Sequence, residues 1–280
     1  MKVAVTGATG FVGRHVVAEL HARGAKLTLL VRPSSKVPAE WSRHTVLRQD
    51  LLSAHGHAFE LLGQPDALIH LAWGGLPNYK ALHHFEHELP LHYSFLKEMV
   101  ASGLQRMVVA GTCFEYGMQS GALSEDLPAR PTNPYGFAKD ALCRELAYLQ
   151  ATHPFALTWA RLFYMHGAGQ SENSLLPKLR AAVARGDRTF PMSGGEQLRD
   201  YLSVLQVASH LAALAQTGRD NGVVNVCSGE PISVRRLVEG WIADNGWAIT
   251  PELGRFPYPD YEPMAFWGER SKLARCLGAV

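Results

Sequence analysis

KVAVTGATGFVG, residues 2–13, is the stretch from which the fold is read. The apolar run 2–7 predicts a strand, and an amphipathic pattern over 11–22, ending before Gly24, predicts the helix that follows it. Between them, Gly7 permits a tight turn, Gly10 lets backbone approach a diphosphate, and Gly13 allows the helix to pack close to the strand. The helix N-terminus offers free N–H groups and a positive dipole end to phosphates. A glycine pattern by itself also suits an ordinary turn. With a strand before it and a helix after it, dinucleotide binding is the favoured reading, and Gly7, Thr9, Gly10, Phe11, Val12 and Gly13 are the candidate cofactor contacts.

Working outward, KLTLLV (26–31), HTVLRQ (44–49), DALIHLAW (66–73), RMVVAG (106–111) and FALTWARL (155–162) read as further strands. They are near-continuous apolar runs, as in a parallel sheet covered on both faces. Helices are expected over 54–62, 80–102 and 135–150, with Pro90 breaking or kinking the second. This alternation predicts an α/β fold built on a Rossmann-type doubly wound parallel sheet. After Leu162 the texture changes, with Gly167 and Gly169, then PMSGGEQLRDY (191–201), then the proline-rich PELGRFPYPDYEP (251–263). The expected organisation is a dinucleotide-binding domain over 1–165 and a smaller, interleaved, mainly substrate-binding region over 166–280. Some segments of that region should return to the sheet, and it should sit over the carboxyl ends of the strands, where open α/β sheets bind ligands.

Composition narrows the partners. The 280 residues carry 27 Lys plus Arg against 25 Asp plus Glu, a net charge of +2, which argues against a nucleic-acid partner. No run approaches the ~20 apolar residues that span a bilayer, so no membrane association is expected. The N-terminal MKVAVTGATG has no apolar stretch of signal-peptide length. The four cysteines, Cys113, Cys143, Cys227 and Cys276, lie far apart without CxxC spacing, which points to reduced thiols and a cytoplasmic location.

Which dinucleotide binds depends on the end of the second strand. A carboxylate there would take the ribose hydroxyls of NAD, but no Asp or Glu occurs between Glu19 and Glu40. Arg32 and Ser34, with Ser35 nearby, suit a 2′-phosphate through charge-assisted hydrogen bonds, so NADP(H) is expected over NAD(H). The alternative is an ordinary polar loop in an enzyme that uses NAD.

YGFAK (135–139) follows the turn-rich PTNP. Tyr135 and Lys139, four apart on a helix, share a face, so the ammonium is expected beside the phenol. Together with the nicotinamide charge it should lower the phenol from its ordinary ~10 toward the useful range. The strand RMVVAG delivers Thr112, whose hydroxyl is placed to orient a carbonyl oxygen beside Tyr135.

With these pieces in hand, the chain resembles the extended short-chain dehydrogenase/reductases, specifically the NAD(P)-dependent nucleotide-sugar epimerase/dehydratase/reductase group. The matching stretches are TGATGFVG, Asp50-Leu51, IHLAW (69–73), GTCFEYG (111–117), YGFAK, RLFYMHG (161–167), QLRDYLSV (197–204) and VNVCSGEPISV (224–234), which run in family order along nearly the whole chain. The resemblance implies that Asp50 contacts adenine with Leu51 close by, and that Leu71 and Ala72 line the cofactor. It implies that Thr112, Tyr135 and Lys139 are catalytic, with Thr112 also touching substrate and Lys139 also holding the nicotinamide ribose. Arg199 matches the arginine that binds a sugar-nucleotide diphosphate; a surface arginine paired with Asp200 is the alternative. Arg255 lies several residues from the place of a second such arginine. Departures are informative too. Dehydratases of this group carry an Asp-Glu pair after the catalytic Thr, where this chain has Cys113 and Phe114, so dehydration is disfavoured. The usual Asn after the Arg-x-Phe element is Tyr164.

Three other features invite chemistry. His83 and His87 have the i, i+4 spacing of a helical metal pair, with His84 beside them, but a polar face at the substrate mouth or a subunit contact is favoured, and no metal is expected. Cys113 has no histidine near it in the motif and reads as a packed thiol. Trp247, Phe266 and Trp267 read as C-terminal core. The expected activity is reduction of a keto group on a nucleotide-activated sugar, a 4-keto-6-deoxyhexose, with the proton supplied by Tyr135. An NAD-dependent nucleotide-sugar epimerase is the alternative, and a non-catalytic dinucleotide sensor a remote one. By resemblance a homodimer is expected, paired through the helices ending near Ser102 and running from Tyr135.

Overall fold

The computed structural model describes residues 1–51 and 56–278. In chain order its elements begin β1 (Lys2–Thr6), α1 (Phe11–Ala22), β2 (Lys26–Val31), β3 (Thr45–Arg48), α2 (Ala58–Leu61) and β4 (Ala67–His70). Next come α3 (Leu89–Ala101), β5 (Arg106–Thr112), β6 (Gly121–Leu123), α4 (Pro134–Thr152), β7 (Ala156–Leu162), β8 (Tyr164–His166), α5 (Leu175–Arg185) and β9 (Thr189–Pro191). The chain ends with β10 (Leu198–Ser203), α6 (Val204–Thr217), β11 (Gly222–Val226), β12 (Pro231–Ser233), α7 (Val234–Asn245), β13 (Thr250–Glu252), β14 (Phe266–Gly268) and α8 (Ser271–Leu277).

Seven strands form one parallel sheet in the order β3-β2-β1-β4-β5-β7-β11. The order reverses between β1 and β4, and in doubly wound sheets that switch point opens the ligand crevice. On one face α1 buries Val16, Val17 and Leu20 against Val207, Leu211 and Ala212 of α6. On the other, α3 and α4 bury Phe95, Leu96, Met99, Leu142 and Leu146 against Leu68, Val109 and Trp159 of the strands. The chain after residue 166 thus supplies α6 and the edge strand β11 to this layered body. It also makes smaller sheets, β12-β10-β8, β13-β9 and β14-β6, and a separate apolar cluster of Leu179, Phe190, Met192, Val234 and Val238 between α5 and α7.

Three expected elements differ. The strand over 66–73 ends at His70, because the Gly7 turn packs directly on the peptide joining Leu71 to Ala72 and the chain leaves the ladder there. The helix over 80–102 begins as a π-helical turn, His84–Glu88, and α3 then carries Pro90 in its first turn, where a missing N–H breaks no helical bond. Of the helix over 54–62, Ala58–Leu61 is helical; residues 54 and 55 lie outside the described residues.

Candidate active site

At the carboxyl end of β1, Gly7 turns the chain with φ +69°. A Cβ on Gly7 would meet the Ala72 nitrogen at 2.6 Å, and one on Gly13 would meet the Gly7 carbonyl oxygen at 2.1 Å. Neither position accepts a side chain without moving backbone. Gly10 is the N-cap of α1 and brings no capping side chain, so the first-turn N–H groups stay available for an anion. Thr9 donates to Ser35 Oγ at 3.4 Å, Val12 packs on the core, and Phe11 meets His15 edge-on. Arg32 and Ser34 follow β2 on an exposed loop that Arg48 braces through the carbonyls of Pro33 (3.2 Å) and Ser35 (2.8 Å). Among the described residues no carboxylate pairs with Arg32. Asp50 is exposed just past β3, with Leu51 half-buried beside it, and Leu71 and Ala72 form the wall against Gly7. The free N–H groups at the helix end and the cation and hydroxyls of the polar loop are groups that suit a dinucleotide.

Thr112 closes β5 and caps a 3₁₀ turn over Cys113–Tyr116, accepting the Phe114 N–H at 3.3 Å. Asn133 caps α4 through the Gly136 N–H at 2.8 Å and Pro134 pre-sets its first turn, which delivers Tyr135 buried at the helix start. The Tyr135 phenol faces the Thr112 side chain, whose hydroxyl favours the phenolate. One turn on, Lys139 is buried and donates to the Ala110 carbonyl at 2.9 Å, with its ammonium 3.8 Å from the centre of the Trp73 ring. Burial lowers Lys139 to about 7 against the pull of Glu115 and Glu88. The phenol of Tyr135 is pushed up, by burial first and then by Tyr79 and Glu115. In the protein alone this reverses the expected lowering, because burial disfavours the phenolate.

Beneath this pair lies a network absent from the sequence reading. Glu115 is fully buried and accepts from the Thr112 N–H (2.8 Å), Trp159 Nε1 (3.0 Å) and Arg161 Nε (2.6 Å). It ties β5 to β7 directly under Thr112. Beside Tyr135, His84 takes the Trp73 N–H at 3.1 Å and donates to the Asn78 carbonyl at 2.8 Å. Farther in, Thr6, His70, His92 and Glu88 form a chain with steps of 2.8, 2.7 and 3.1 Å. The signal was present, since His84, Glu88 and His92 are spaced by four. The sequence singled out the spacing of His83 and His87, read as a polar face or subunit contact, but it is His84, in the π turn, that is buried. His83 packs beside Gly75, and His87 is exposed. Among the described residues no group of three His, Cys, Asp or Glu is placed to hold a metal ion. Cys113 is buried and its thiol is pushed up by burial, the setting of a packed thiol.

A cleft of about 750 Å³ is lined among others by Lys178, Phe190, Gln197, Arg199, Tyr201 and Glu262. Arg199 is buried. It is not paired with Asp200, which instead accepts the N–H groups of Ser228, Gly229 and Gly268. Its guanidinium lies 4.6 Å over the Phe266 ring and donates to Glu262 at 3.1 Å. Tyr164, which replaces the family's Asn, donates to the same carboxylate. Arg255 is not brought to the cleft wall, because its exposed guanidinium turns to Glu252 at 3.3 Å. The residue before Glu262 joins the two regions: Tyr261 packs 6.3 Å from Tyr79 and 6.2 Å from Phe114, and both of those rings flank Tyr135. Phe266 is core, as expected.

The model of the NAD dependent epimerase/dehydratase family matches residues 3–227. A dTDP-6-deoxy-L-talose 4-dehydrogenase (NAD(+)) from Aggregatibacter actinomycetemcomitans is 30% identical over 96% of this chain and all of its own length. A dTDP-6-deoxy-L-talose 4-dehydrogenase (NAD(P)(+)) from Kitasatospora kifunensis is 30% identical over 92% of this chain and 83% of its own. A UDP-glucose 4-epimerase from Corynebacterium glutamicum is 28% identical over 99% of this chain and 90% of its own. Among solved structures, MoeE5 in complex with UDP-glucuronic acid and NAD superposes with a TM-score of 0.82 at 28% identity, covering 99% of this chain and 93% of that one.

Proposed function

The chain belongs to the NAD dependent epimerase/dehydratase family and is an NAD(P)-dependent oxidoreductase, and on that premise we propose that it reduces the keto group of a nucleotide-activated 4-keto-6-deoxyhexose. The observation that carries the reading is the grouping of Thr112 at the end of β5 with Tyr135 and Lys139 at the start of α4, joined to the cleft of Arg199 through Tyr79, Tyr261 and Glu262. The two 4-dehydrogenase relatives support the substrate class, because removal of hydride from C4 of a 6-deoxy sugar, run backward, is this reduction.

The bound dinucleotide supplies the hydride to the carbonyl carbon. Thr112 orients the carbonyl oxygen and Tyr135 gives it the phenolic proton. Lys139 holds the nicotinamide ribose and offsets the charge left on Tyr135. Arg199 takes the sugar-nucleotide diphosphate through its guanidinium fork, with Glu262 as the group it leaves. Arg32 and Ser34 favour NADP(H), although one relative is named for NAD(+). Phe137 and Tyr148, 51% and 80% exposed on α4, support a homodimer through α3 and α4.

The similarity to UDP-glucose 4-epimerases favours one second reading, an epimerase that removes hydride and returns it to the other face of the sugar. Cofactor content separates the two. The purified protein is denatured, released dinucleotide is measured, and NADPH and NADH are titrated into the empty form. The reductase reading expects an empty site binding NADPH at least tenfold tighter, about 1.4 kcal/mol. Stoichiometric NAD carried through purification would sink it in favour of the epimerase. In the empty form Y135F should bind dinucleotide normally and lose about 10²–10⁴ in kcat on the dTDP-linked keto sugar.

A further inference from the structure

We propose that Trp73 is a positioning residue for Lys139: its indole face holds the ammonium at the place from which the lysine serves Tyr135 and the dinucleotide, and two histidines hold the indole. The proposal rests on the reading of Lys139 given above. Lys139 is 2% exposed, and the neighbours that engage its ammonium are the Ala110 carbonyl at 2.9 Å and the Trp73 ring at 3.8 Å. An ammonium has three donors, and one carbonyl satisfies one of them. A desolvated cation gains most from an aromatic face when that face belongs to tryptophan.

The indole is held more firmly than packing alone requires. Its N–H donates to His84, and His84 is anchored on the Asn78 carbonyl. The ring stacks on His92 with centroids 4.6 Å apart and planes 12° off parallel. His92 is itself held by His70 and Glu88. The same indole meets Tyr135 edge-on at 6.2 Å, so one rigid side chain touches both Tyr135 and Lys139.

The test uses W73F, which keeps an aromatic face, W73L, which keeps apolar volume without one, and K139M. The titratable groups facing Lys139 are Glu88 and His84 from the π turn, His92 from α3, His70 from β4, Glu115 after β5 and Tyr135 on α4 itself. Burial lowers the three histidines and raises Tyr135, so between pH 6.5 and 9 Lys139 is the group expected to titrate. In the free protein, tryptophan emission should show a step near pH 7 that disappears in both K139M and W73F. A step that survives in K139M, or the absence of one in wild type, overturns the proposal.

In the NADPH-dependent reduction of the dTDP-linked 4-keto-6-deoxyhexose, activity needs Lys139 charged and so falls as pH rises through its pKa. W73L should move that alkaline limb to lower pH by about one unit, while W73F restores most of the wild-type profile. Coincident profiles for W73L, W73F and wild type, with K139M inactive, overturn the proposal while the assignment of Lys139 stands. Wild-type turnover in K139M removes that assignment instead, and the emission step then decides the Trp73 contact. If W73L does not fold, the emission comparison of wild type with K139M decides the matter.

Discussion

At the scale of single residues, the site is marked by polar groups buried where water cannot reach them. Thr112, Tyr135 and Lys139 were readable from their motif, since a hydroxyl at a strand end and a tyrosine four residues before a lysine are local patterns. Glu115 was not, because nothing in CFEY announces that its partners, Trp159 and Arg161, come from a strand more than forty residues away. His70 and His92, 2.7 Å apart and both buried, have a consequence for stability. Burial holds both below the ordinary 6.5, with Lys139 adding to the effect and Glu88 opposing it at His92. The unfolded chain therefore binds protons at pH values where the native pair does not. Stability from the neutral pair is complete above pH 6.5 and is lost as pH falls below it, each such histidine steepening the loss by about 1.4 kcal/mol per pH unit. The thermal midpoint should drop from pH 6.5 to 5.5, and H92Q should make that drop shallower; parallel curves for the two proteins would refute the account.

At the scale of elements, the β1–turn–α1 unit is the most legible part of the chain. Its strand, turn and helix are all encoded within residues 2–22, and the apolar spacing of Val16, Val17 and Leu20 sets the face that α6 covers. G13A tests the unit sharply. The added methyl would lie 2.1 Å from the Gly7 carbonyl oxygen, so α1 must shift away from β1 and its N–H groups leave the diphosphate. Calorimetric titration should find dinucleotide binding weakened at least tenfold, about 1.4 kcal/mol. Unchanged affinity would mean that the helix end is not the phosphate site. The segment from Lys80 to Ser102 was read less well. Its apolar spacing announces a helix, but the π turn over His84–Glu88 depends on what the side chains meet, namely Trp73, Asn78 and Gly74.

At the scale of the whole molecule, the site forms where the Rossmann-type sheet meets the α5–α7 cluster. Thr112 belongs to β5 and Tyr135 and Lys139 to α4, the cleft to β8, α5, β10 and the segment before β14, with Tyr261 and Glu262 bridging the two. A ligand spanning both regions should divide its contacts accordingly. R199K keeps the charge but not the guanidinium fork, and should raise KM for the dTDP-linked keto sugar about tenfold with little change in kcat. A fall in kcat at constant KM would instead place Arg199 with the reacting atoms.

The sequence by itself determined the parallel sheet, its first helix, the glycine turn and the threonine–tyrosine–lysine pattern, because each rests on interactions within a short stretch or on hydrophobic periodicity. Only the tertiary structure decided that Arg199 is buried on Glu262 rather than paired with its neighbour Asp200. It alone decided that Arg255 pairs with Glu252, that Lys139 lies against Trp73, and that Glu115 joins two strands under Thr112. These are contacts between residues distant in the chain. A buried charge takes whichever partner the packed fold brings within hydrogen-bond reach, and sequence spacing carries no information about that partner.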